Sequence, residues 1–281
     1  MIRLVADSGS TKTDWALIFV DVQPLVFSTE GMNPQLNSEE ELRKKMVSAL
    51  KSHAEHYDID EVFFYGAGCR TSVVPMVERV LSEILCCENV SVYSDMLGAA
   101  RSICGNNPGI VGILGTGSNS CVYNGVEITD NIPPLGYVLG DEGSGASIGK
   151  RFLGDVYKRE YPQEITDSII SDLNCSLDEI LKRVYKSENA NRFCASMVPL
   201  VKKYLNCPNV EAMVIDEFCS FIQRNISKYA EAKQLPVNFI GSVAYHFSTQ
   251  VATAMEMSGY KIGKIKQQPL EGIIDYHKFI P

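Results

Sequence analysis

Hydrophobic and polar positions alternate in short blocks along the first part of the chain. Apolar runs at residues 2–6 and 13–21 are separated by the polar turn Asp-Ser-Gly-Ser, and a third extended segment covers residues 24–28. Short apolar runs bounded by glycine, serine and aspartate predict three consecutive strands that form a meander. Residues 39–55 follow an Asn-Ser cap and keep their apolar side chains at helical spacing. An amphipathic helix is predicted there.

Strands and helices alternate in the next part of the chain. Buried-strand runs at residues 62–65 and 90–93 are each followed by helical spacing, over residues 73–85 and 96–103. This order predicts a sheet with parallel strands that helices cover. The turn-rich sequence CGNNPG at residues 104–109 is typical of a joint between domains.

The opening pattern then recurs in altered form. Apolar residues 110–114, the turn Gly-Thr-Gly-Ser-Asn and apolar residues 120–123 repeat the strand, turn and strand of the N-terminus. Two such units predict a duplicated domain. Residues 147–233 are predicted to be largely helical, with the clearest helix at 216–232. A last strand is predicted at 237–240, before one more glycine turn.

Composition and charge narrow the class of protein. The 281 residues are 45% hydrophobic, which supports real cores and excludes a disordered chain. The 26 Lys and Arg against 34 Asp and Glu give a charge of −8, which argues against nucleic acid and anionic membranes as partners. Nine cysteines, an odd number, indicate reduced thiols. Without a signal peptide or an apolar stretch of roughly 18 residues, a cytoplasmic protein is expected.

The strongest local signal is the sequence DSGSTKT, which begins at Asp7. A hairpin rich in Ser, Gly and Thr presents amides and hydroxyls to one point, the arrangement that receives phosphate oxygens. Asp7 at the end of the strand could hold Mg²⁺ through water, and Lys12 could add a positive charge. The alternative is an ordinary Gly/Ser hairpin.

Residues 115–119 offer the same chemistry in the second unit. They are not a GxGxxG dinucleotide motif, because Ser120 stands at the third glycine and a strand follows. Taken alone, the turn is more readily structural. Its place in a repeated unit favours a second phosphate contact.

The glycine-rich residues 140–150 precede the helical region. They are not a P-loop, because Ser144 and Arg151 stand where that motif needs Gly and Ser or Thr. The segment carries the neighbouring carboxylates Asp141 and Glu142. A glycine-rich linker and a polyol-binding loop remain equally open.

Asp95 ends a predicted strand and opens a predicted helix. The residue type and position favour an N-cap, while the functional alternative is a general base that takes a proton from a substrate hydroxyl. His53 and His56 lie three residues apart without a third ligand, so a surface position is favoured over metal binding.

Taken in order, these motifs resemble the N-acetylglucosamine kinase group of the BadF/BadG/BcrA/BcrD ATPase family, in the actin, sugar-kinase and heat-shock-chaperone ATPase superfamily. The matching pieces span residues 6 to 273. They are ADSGSTKTDW, EGMNPQ, FYGAG, YSDMLGAARS, GILGTGSNS, PPLGYVLGDEGSGASIGKR, FIGSVA and QPLEGII.

The resemblance implies roles for individual residues. Asp95 matches the catalytic aspartate, and Asp7 lies near Mg²⁺, through water. The phosphate-binding residues are Ser8, Gly9, Ser10, Thr11, Lys12, Gly115, Thr116, Gly117 and Ser118. The adenosine-binding residues are Gly241, Ser242 and Val243. The sugar-binding residues are Asn33, Gly68, Thr116 and Asp141.

The implied fold is α/β, with two ribonuclease-H-like domains of the actin-like ATPase type and a central nucleotide cleft. Residues 1–106 would form the first domain, to which residues 267–281 return, and residues 107–266 the second. The implied activity is ATP- and Mg²⁺-dependent phosphorylation of an amino sugar, most readily N-acetylglucosamine at its 6-hydroxyl. A homodimer is compatible with the resemblance.

Two departures bear on the sugar. Human-type members carry Gly-Trp before GDEGS, where this chain has Pro-Pro-Leu-Gly-Tyr at residues 133–137, and the chain is shorter than the usual members. Two other functions stay open. One is an ATPase that drives a dehydratase or reductase, which would need an iron–sulfur cluster on cysteines. The other is a non-catalytic sugar or nucleotide sensor of the same fold.

Overall fold

The computed structural model describes residues 1–9, 11–54 and 56–278. The chain folds as two compact units. Unit 1 comprises Met1–Asn107, Gly125–Glu127 and the segment that begins at Gln268, and unit 2 comprises Pro108–Asn124 and Ile128–Gln267. Residues 125–127 thus belong to unit 1, whereas the sequence assigned them to the second domain.

Ten strands form within the described residues. They are β1 (Arg3–Ser8), β2 (Lys12–Ile18), β3 (Leu25–Glu30), β4 (Glu61–Gly66), β5 (Val90–Ser94), β6 (Gly109–Leu114), β7 (Ser118–Tyr123), β8 (Ile128–Asp130), β9 (Val237–Ile240) and β10 (Ile262–Lys266).

The α-helices cover these strands or extend unit 2. They are α1 (Glu39–Lys51), α2 (Val74–Leu85), α3 (Asp95–Cys104), α4 (Gly136–Leu139), α5 (Gly145–Lys158), α6 (Gln163–Leu173), α7 (Leu177–Tyr185), α8 (Ala190–Ala195), α9 (Val198–Lys203), α10 (Pro208–Arg224), α11 (Ser242–His246), α12 (Ser248–Met257) and α13 (Leu270–Lys278). In the described part of the chain, none is long and apolar enough to cross a membrane.

The two sheets share one topology. In unit 1 the strand order is β3-β2-β1-β4-β5, and in unit 2 it is β8-β7-β6-β9-β10. The first three strands of each unit pair antiparallel, and the last two lie parallel to the first. The predicted α/β fold with a duplicated strand–turn–strand unit is confirmed. The hairpin β1–β2 and the hairpin β6–β7 occupy equivalent places.

Apolar side chains on the faces of each sheet pack it against the helices. On one side of the unit 1 sheet, Trp15 and Phe64 pack among the buried side chains of α1 and α2. On the other side, Val5 and Tyr65 pack with Ile273 of α13. In unit 2 the core forms around the strands together with α5, α10 and α12. Burial of both faces explains why the parallel strands read as continuous apolar runs.

Three details of the sequence prediction need correction. The helix predicted at residues 216–232 is α10, which begins at Pro208 and ends at Arg224. Proline suits the first helical turn, because its missing amide would have no partner there. The helix predicted at 39–55 ends at Lys51. Strands β8 and β10 were missed, because β8 has three residues and β10 has lysines and a glycine among its five.

A buried histidine anchors α13 in unit 1. The His277 side chain is 1% exposed, and its Nε2 lies 2.8 Å from the Tyr65 hydroxyl. That hydroxyl accepts a hydrogen bond from Nη1 of Arg101 at 2.8 Å, and the imidazole stacks on Phe63. Burial, together with the positive charges of Arg101 and Arg3, lowers the pKa of His277 to about 3.

This pKa predicts an acid-sensitive contribution to stability. Between pH 6.5 and about 3 the unfolded chain binds a proton at His277 that the folded chain does not bind. The contribution of His277 to the unfolding free energy should therefore fall as the pH drops below 6.5, by up to about 1.4 kcal/mol per pH unit. Urea denaturation at pH 7, 6 and 5 should show the unfolding free energy of the wild type falling relative to that of His277→Gln. Equal pH profiles for both proteins would contradict a neutral His277.

Candidate functional site

The candidate residues of unit 1 lie where its parallel strands end. Strands β4 and β5 run parallel to β1, so the carboxyl ends of all three lie at one edge of the sheet. The amide of Ala67 donates to the Ser8 carbonyl at 2.7 Å, which ties the turn after β4 to the end of β1. Asp7 precedes Ser8, and Asp95 follows β5 directly. In open α/β sheets, ligands bind outside this edge.

Asp7 is a half-buried carboxylate at the end of β1. It lies directly opposite Asp14 on the adjacent antiparallel strand β2. Burial, followed by the negative charges of Asp95 and Asp14, raises the pKa of Asp7 to about 7, against an opposing effect of Lys12. Like charges at directly paired positions destabilise a sheet. A cation at this edge would relieve that repulsion.

The raised pKa of Asp7, caused first by burial and then by the neighbouring negative charges, gives a prediction for Asp7→Asn. Because the folded-state pKa of about 7 exceeds the ordinary value of 3.8, the folded chain holds a proton between these pH values that the unfolded chain releases. The stability from Asp7 is therefore lost as the pH rises towards and through 7. We expect Asp7→Asn to raise the unfolding free energy at pH 8 by about 1–2 kcal/mol.

Chemical denaturation at pH 8 and pH 5 checks this expectation. The gain should be present at pH 8 and much smaller at pH 5. The matched control is Asp58→Asn, a substitution at an exposed aspartate, which should change neither value. A destabilised Asp7→Asn protein at pH 8 would contradict the raised pKa of Asp7.

Asp95 is the first residue of α3, and the structure corrects its predicted role as an N-cap. The cap is Ser94, whose hydroxyl accepts from the Leu97 amide at 3.2 Å. Serine is as good a cap as aspartate. The Asp95 carboxylate instead accepts from the Met96 amide at 2.9 Å, and burial raises its pKa despite this hydrogen bond. A fixed carboxylate with a raised pKa is suited to accept a proton.

The hairpin between β1 and β2 uses some of its own polar groups. The Gly9 amide donates to the Lys12 carbonyl at 2.9 Å. Ser8 is completely buried, with its hydroxyl 2.8 Å from Oγ1 of Thr13 and within hydrogen-bond distance of the Met32 carbonyl. These contacts speak against direct phosphate binding by the Ser8 hydroxyl or the Gly9 amide. Both residues instead hold the hairpin in shape.

Thr11 and Lys12 are the exposed members of the hairpin, and Ser10 lies outside the described residues. The ammonium group of Lys12 forms an ion pair with Oδ2 of Asp14 at 2.7 Å. Asp14 is 7% exposed and also accepts from the Ser28 hydroxyl. Sequence reasoning missed Asp14. The available signal was a carboxylate inside an apolar strand, where an unpaired charge is unfavourable.

Asn33 and Gly68, two predicted sugar-binding residues, lie against each other. Gly68 has a φ of +79°, and a Cβ there would stand 2.2 Å from Oδ1 of Asn33. The same Oδ1 accepts from the Gln35 amide at 2.8 Å, and Nε2 of Gln35 donates to the Gly68 carbonyl at 3.3 Å. The turn after β4 therefore requires glycine at position 68.

The predicted second phosphate loop follows β6 in unit 2. It is a tight turn in which the Gly115 amide donates to the Gly117 carbonyl at 3.0 Å. Thr116 is exposed at the tip, whereas Ser118 is buried. The Ser118 amide donates to Oδ1 of Asp141 at 3.2 Å. The structure thus brings Asp141 and this loop together.

The predicted adenosine-binding residues follow β9, next to the end of β6. Gly241 has a φ of +126°, and its amide donates to the Lys266 carbonyl at 3.0 Å. A Cβ at this position would stand 2.1 Å from the Leu114 carbonyl oxygen. Ser242 is exposed, but the Val243 side chain is 3% exposed. Val243 can therefore offer a nucleotide little beyond its main chain.

The donor atoms at this edge of the sheet decide whether a metal ion can bind there. Among the residues that the structure describes, no three His, Cys, Asp or Glu side chains are grouped to hold a metal ion. Mg²⁺ does not require such a cage, since it commonly takes one or two carboxylates together with phosphates and water. Asp7 and Asp14 supply carboxylate oxygens at the right edge of the sheet. They fit Mg²⁺ that arrives with a nucleotide.

Comparison with known proteins places this geometry in a family. No protein-family model matches the sequence, and no curated protein matches it. Among solved structures, a candidate N-acetylglucosamine kinase from Porphyromonas gingivalis is 40% identical, with 99% of this chain and 98% of that chain covered and a TM-score of 0.91. The chain belongs to the N-acetylglucosamine kinase-like family of sugar kinases. This family is one of ATP-dependent carbohydrate kinases.

More distant structures share the fold of this sugar-kinase family. A candidate N-acetylglucosamine kinase from Chromobacterium violaceum is 17% identical with a TM-score of 0.76, over 98% of both chains. A ROK family glucokinase from Streptomyces griseus in complex with glucose and AMPPNP is 12% identical with a TM-score of 0.58, over 99% of this chain and 98% of that one. Since 98% of the P. gingivalis chain is matched, that relative shares the short length.

Proposed function

We propose that the protein is an ATP- and Mg²⁺-dependent kinase of N-acetylglucosamine that forms N-acetylglucosamine 6-phosphate. The observation that carries the proposal is the pair of half-buried carboxylates, Asp7 and Asp95, at the carboxyl edge of the unit 1 sheet. They occur in a chain 40% identical over its length to a candidate kinase of this sugar. The P. gingivalis protein supports the choice of sugar.

In unit 1, Asp95 is the proposed general base, and Asp7 the proposed Mg²⁺ ligand, through water. A divalent cation beside Asp7 favours its ionised form and opposes the repulsion from Asp14. Asn33 and Gly68 are proposed to contact hydroxyl or N-acetyl groups of the sugar. Thr11 and Lys12 are proposed to contact phosphate oxygens, with Lys12 held on Asp14 until the nucleotide binds.

In unit 2, the loop formed by Gly115, Thr116, Gly117 and Ser118 is proposed to contact the phosphates of ATP. Thr116 and Asp141 are further proposed contacts of the sugar. Gly241, Ser242 and Val243 are proposed to receive the adenosine, chiefly through the main chain, because Val243 is turned into the core.

The proposed chemistry is the transfer of the γ-phosphoryl group to a sugar hydroxyl. Asp95 accepts the hydroxyl proton, the sugar oxygen forms a bond to the γ-phosphorus, and the bond from that phosphorus to the bridging oxygen of ADP breaks. Catalysis of this kind depends mostly on positioning and on stabilising charge at the phosphate oxygens. Mg²⁺ supplies charge stabilisation at the phosphates when bound.

Release of ADP against a panel of sugars tests this proposal. We expect turnover with N-acetylglucosamine to exceed that with glucosamine, N-acetylmannosamine, N-acetylmuramic acid and glucose. A preference for another sugar would support kinase activity but reject N-acetylglucosamine as the substrate. ATP hydrolysis indifferent to all sugars, or sugar binding without turnover, would favour the ATPase or the sensor instead.

A further inference from the structure

The predicted second phosphate loop, residues 115–118, is hydrogen-bonded to the segment that begins at Asp141. The Gly145 amide donates to the Gly115 carbonyl at 2.8 Å, and the Ala146 amide donates to the Thr116 carbonyl at 3.1 Å. Both donors belong to the first turn of α5, whose amides have no partner within the helix. The start of α5 therefore fixes one side of the loop through its carbonyl groups.

Asp141 fixes the other side of the same loop. Its Oδ1 accepts the Ser118 amide at 3.2 Å. A Cβ at position 117 would stand 3.1 Å from Oδ2 of Asp141, so glycine at this position lets the carboxylate approach the main chain. Gly117, the second glycine of the GTGS turn, is therefore favoured at this position because a side chain would crowd the Asp141 carboxylate.

The main chain around Asp141 is shaped for this contact. Asp141 adopts a φ of +59°, a conformation that non-glycine residues rarely take, although aspartate and asparagine tolerate it best. Its carbonyl accepts from the Ser144 amide at 3.1 Å, which closes the turn before α5. The neighbouring Glu142 is committed elsewhere, in an ion pair with Arg224. Asp141 is the carboxylate of this pair that contacts the loop.

We propose that Asp141 is a positioning residue that sets the second phosphate loop for the nucleotide, whether or not a sugar is bound. The proposal rests on the proposed function in one respect, that residues 115–118 bind phosphate. It differs from a role as a sugar ligand alone, because the Oδ1 contact to the Ser118 amide lies within unit 2 and joins two protein atoms. A carboxylate used in this way affects ATP affinity through the main chain of the loop.

Two variants separate positioning from sugar binding. Asp141→Gly removes the acceptor oxygen while tolerating the φ of +59°. Asp141→Asn also tolerates this backbone and keeps an acceptor oxygen for the Ser118 amide, but it removes the charge. A matched control is Asp178→Asn, at an exposed aspartate in the first turn of α7.

The readout is ATP affinity measured by calorimetry with Mg²⁺ and no sugar. We expect Asp141→Gly to weaken binding about tenfold, the order of one lost hydrogen bond, and Asp141→Asn, which keeps an acceptor oxygen without the charge, to weaken it about threefold. Exchange of the Ser118 amide with deuterium should accelerate in Asp141→Gly alone. Melting temperatures are measured for all variants, to check that each one is folded.

The outcomes distinguish this inference from the proposed function. If the wild type binds ATP and both variants bind it equally well, Asp141 does not position the loop, while the kinase proposal stands. Equal losses in both variants would assign the effect to charge and reject the role of Oδ1. Failure of the wild type to bind ATP would overturn both proposals.

Discussion

Replacing Asp95 with asparagine is expected to lower kcat for sugar phosphorylation by about a hundredfold to ten-thousandfold, the range that a general base contributes. ATP affinity should stay within about twofold of the wild type, because asparagine keeps an oxygen for the Met96 amide and Ser94 still caps α3. The measurement is ADP release at saturating ATP and sugar, with ATP binding followed separately by calorimetry.

The matched control for this substitution is Asp58→Asn, at an exposed aspartate of the same unit. It should leave both readouts unchanged. A second expectation follows from the raised pKa of Asp95, since its loss removes a half-buried charge. The variant should therefore be at least as stable as the wild type at pH 8. Sustained turnover in Asp95→Asn would remove this residue from the role of base.

Replacing Gly241 with alanine is expected to have the largest effect on folding. The new Cβ would stand 2.1 Å from the Leu114 carbonyl oxygen, and the φ of +126° is strained for any residue with a side chain. The neighbouring atom is main chain at the end of β6, so it cannot rotate away. We expect a loss of unfolding free energy of about 3 kcal/mol or more, or no folded protein.

Gly154→Ala provides the matched control for this substitution. Gly154 lies inside α5 with open space around its Cβ position. Alanine there should raise the unfolding free energy by about 0.5–1 kcal/mol, because glycine is the poorer helix former. Thermal and urea denaturation measure both variants. A Gly241→Ala protein as stable as the wild type would refute the close approach of β6 and β9 at this turn.

The sequence predicted the sheets well because their strands are buried on both faces. The runs at residues 62–65 and 237–240 are continuous and apolar, and they correspond to β4 and β9. The two edge strands of unit 2 were missed, since β10 has lysines and β8 is short. Helix α10 was displaced because the prediction relied on apolar spacing and overlooked the start signal at Pro208.

The predictable and unpredictable parts of the site differ in their physical origin. Gly68 and Gly241 could be singled out from the sequence, because each stands at a positive φ where a Cβ would come too close to a neighbouring atom, and only glycine fits there. Hydrogen-bond partners were not visible. That Ser8 turns inward, that Lys12 rests on Asp14, and that Asp141 reaches the Ser118 amide all depend on tertiary placement.

Analysis of the product distinguishes phosphorylation of the sugar from hydrolysis of ATP. The protein is incubated with ATP, Mg²⁺ and N-acetylglucosamine, and the products are followed by phosphorus NMR and mass spectrometry. We expect one equivalent of ADP for each equivalent of N-acetylglucosamine phosphate, with the phosphorus coupled to the protons on carbon 6. ADP with inorganic phosphate and unchanged sugar would contradict it.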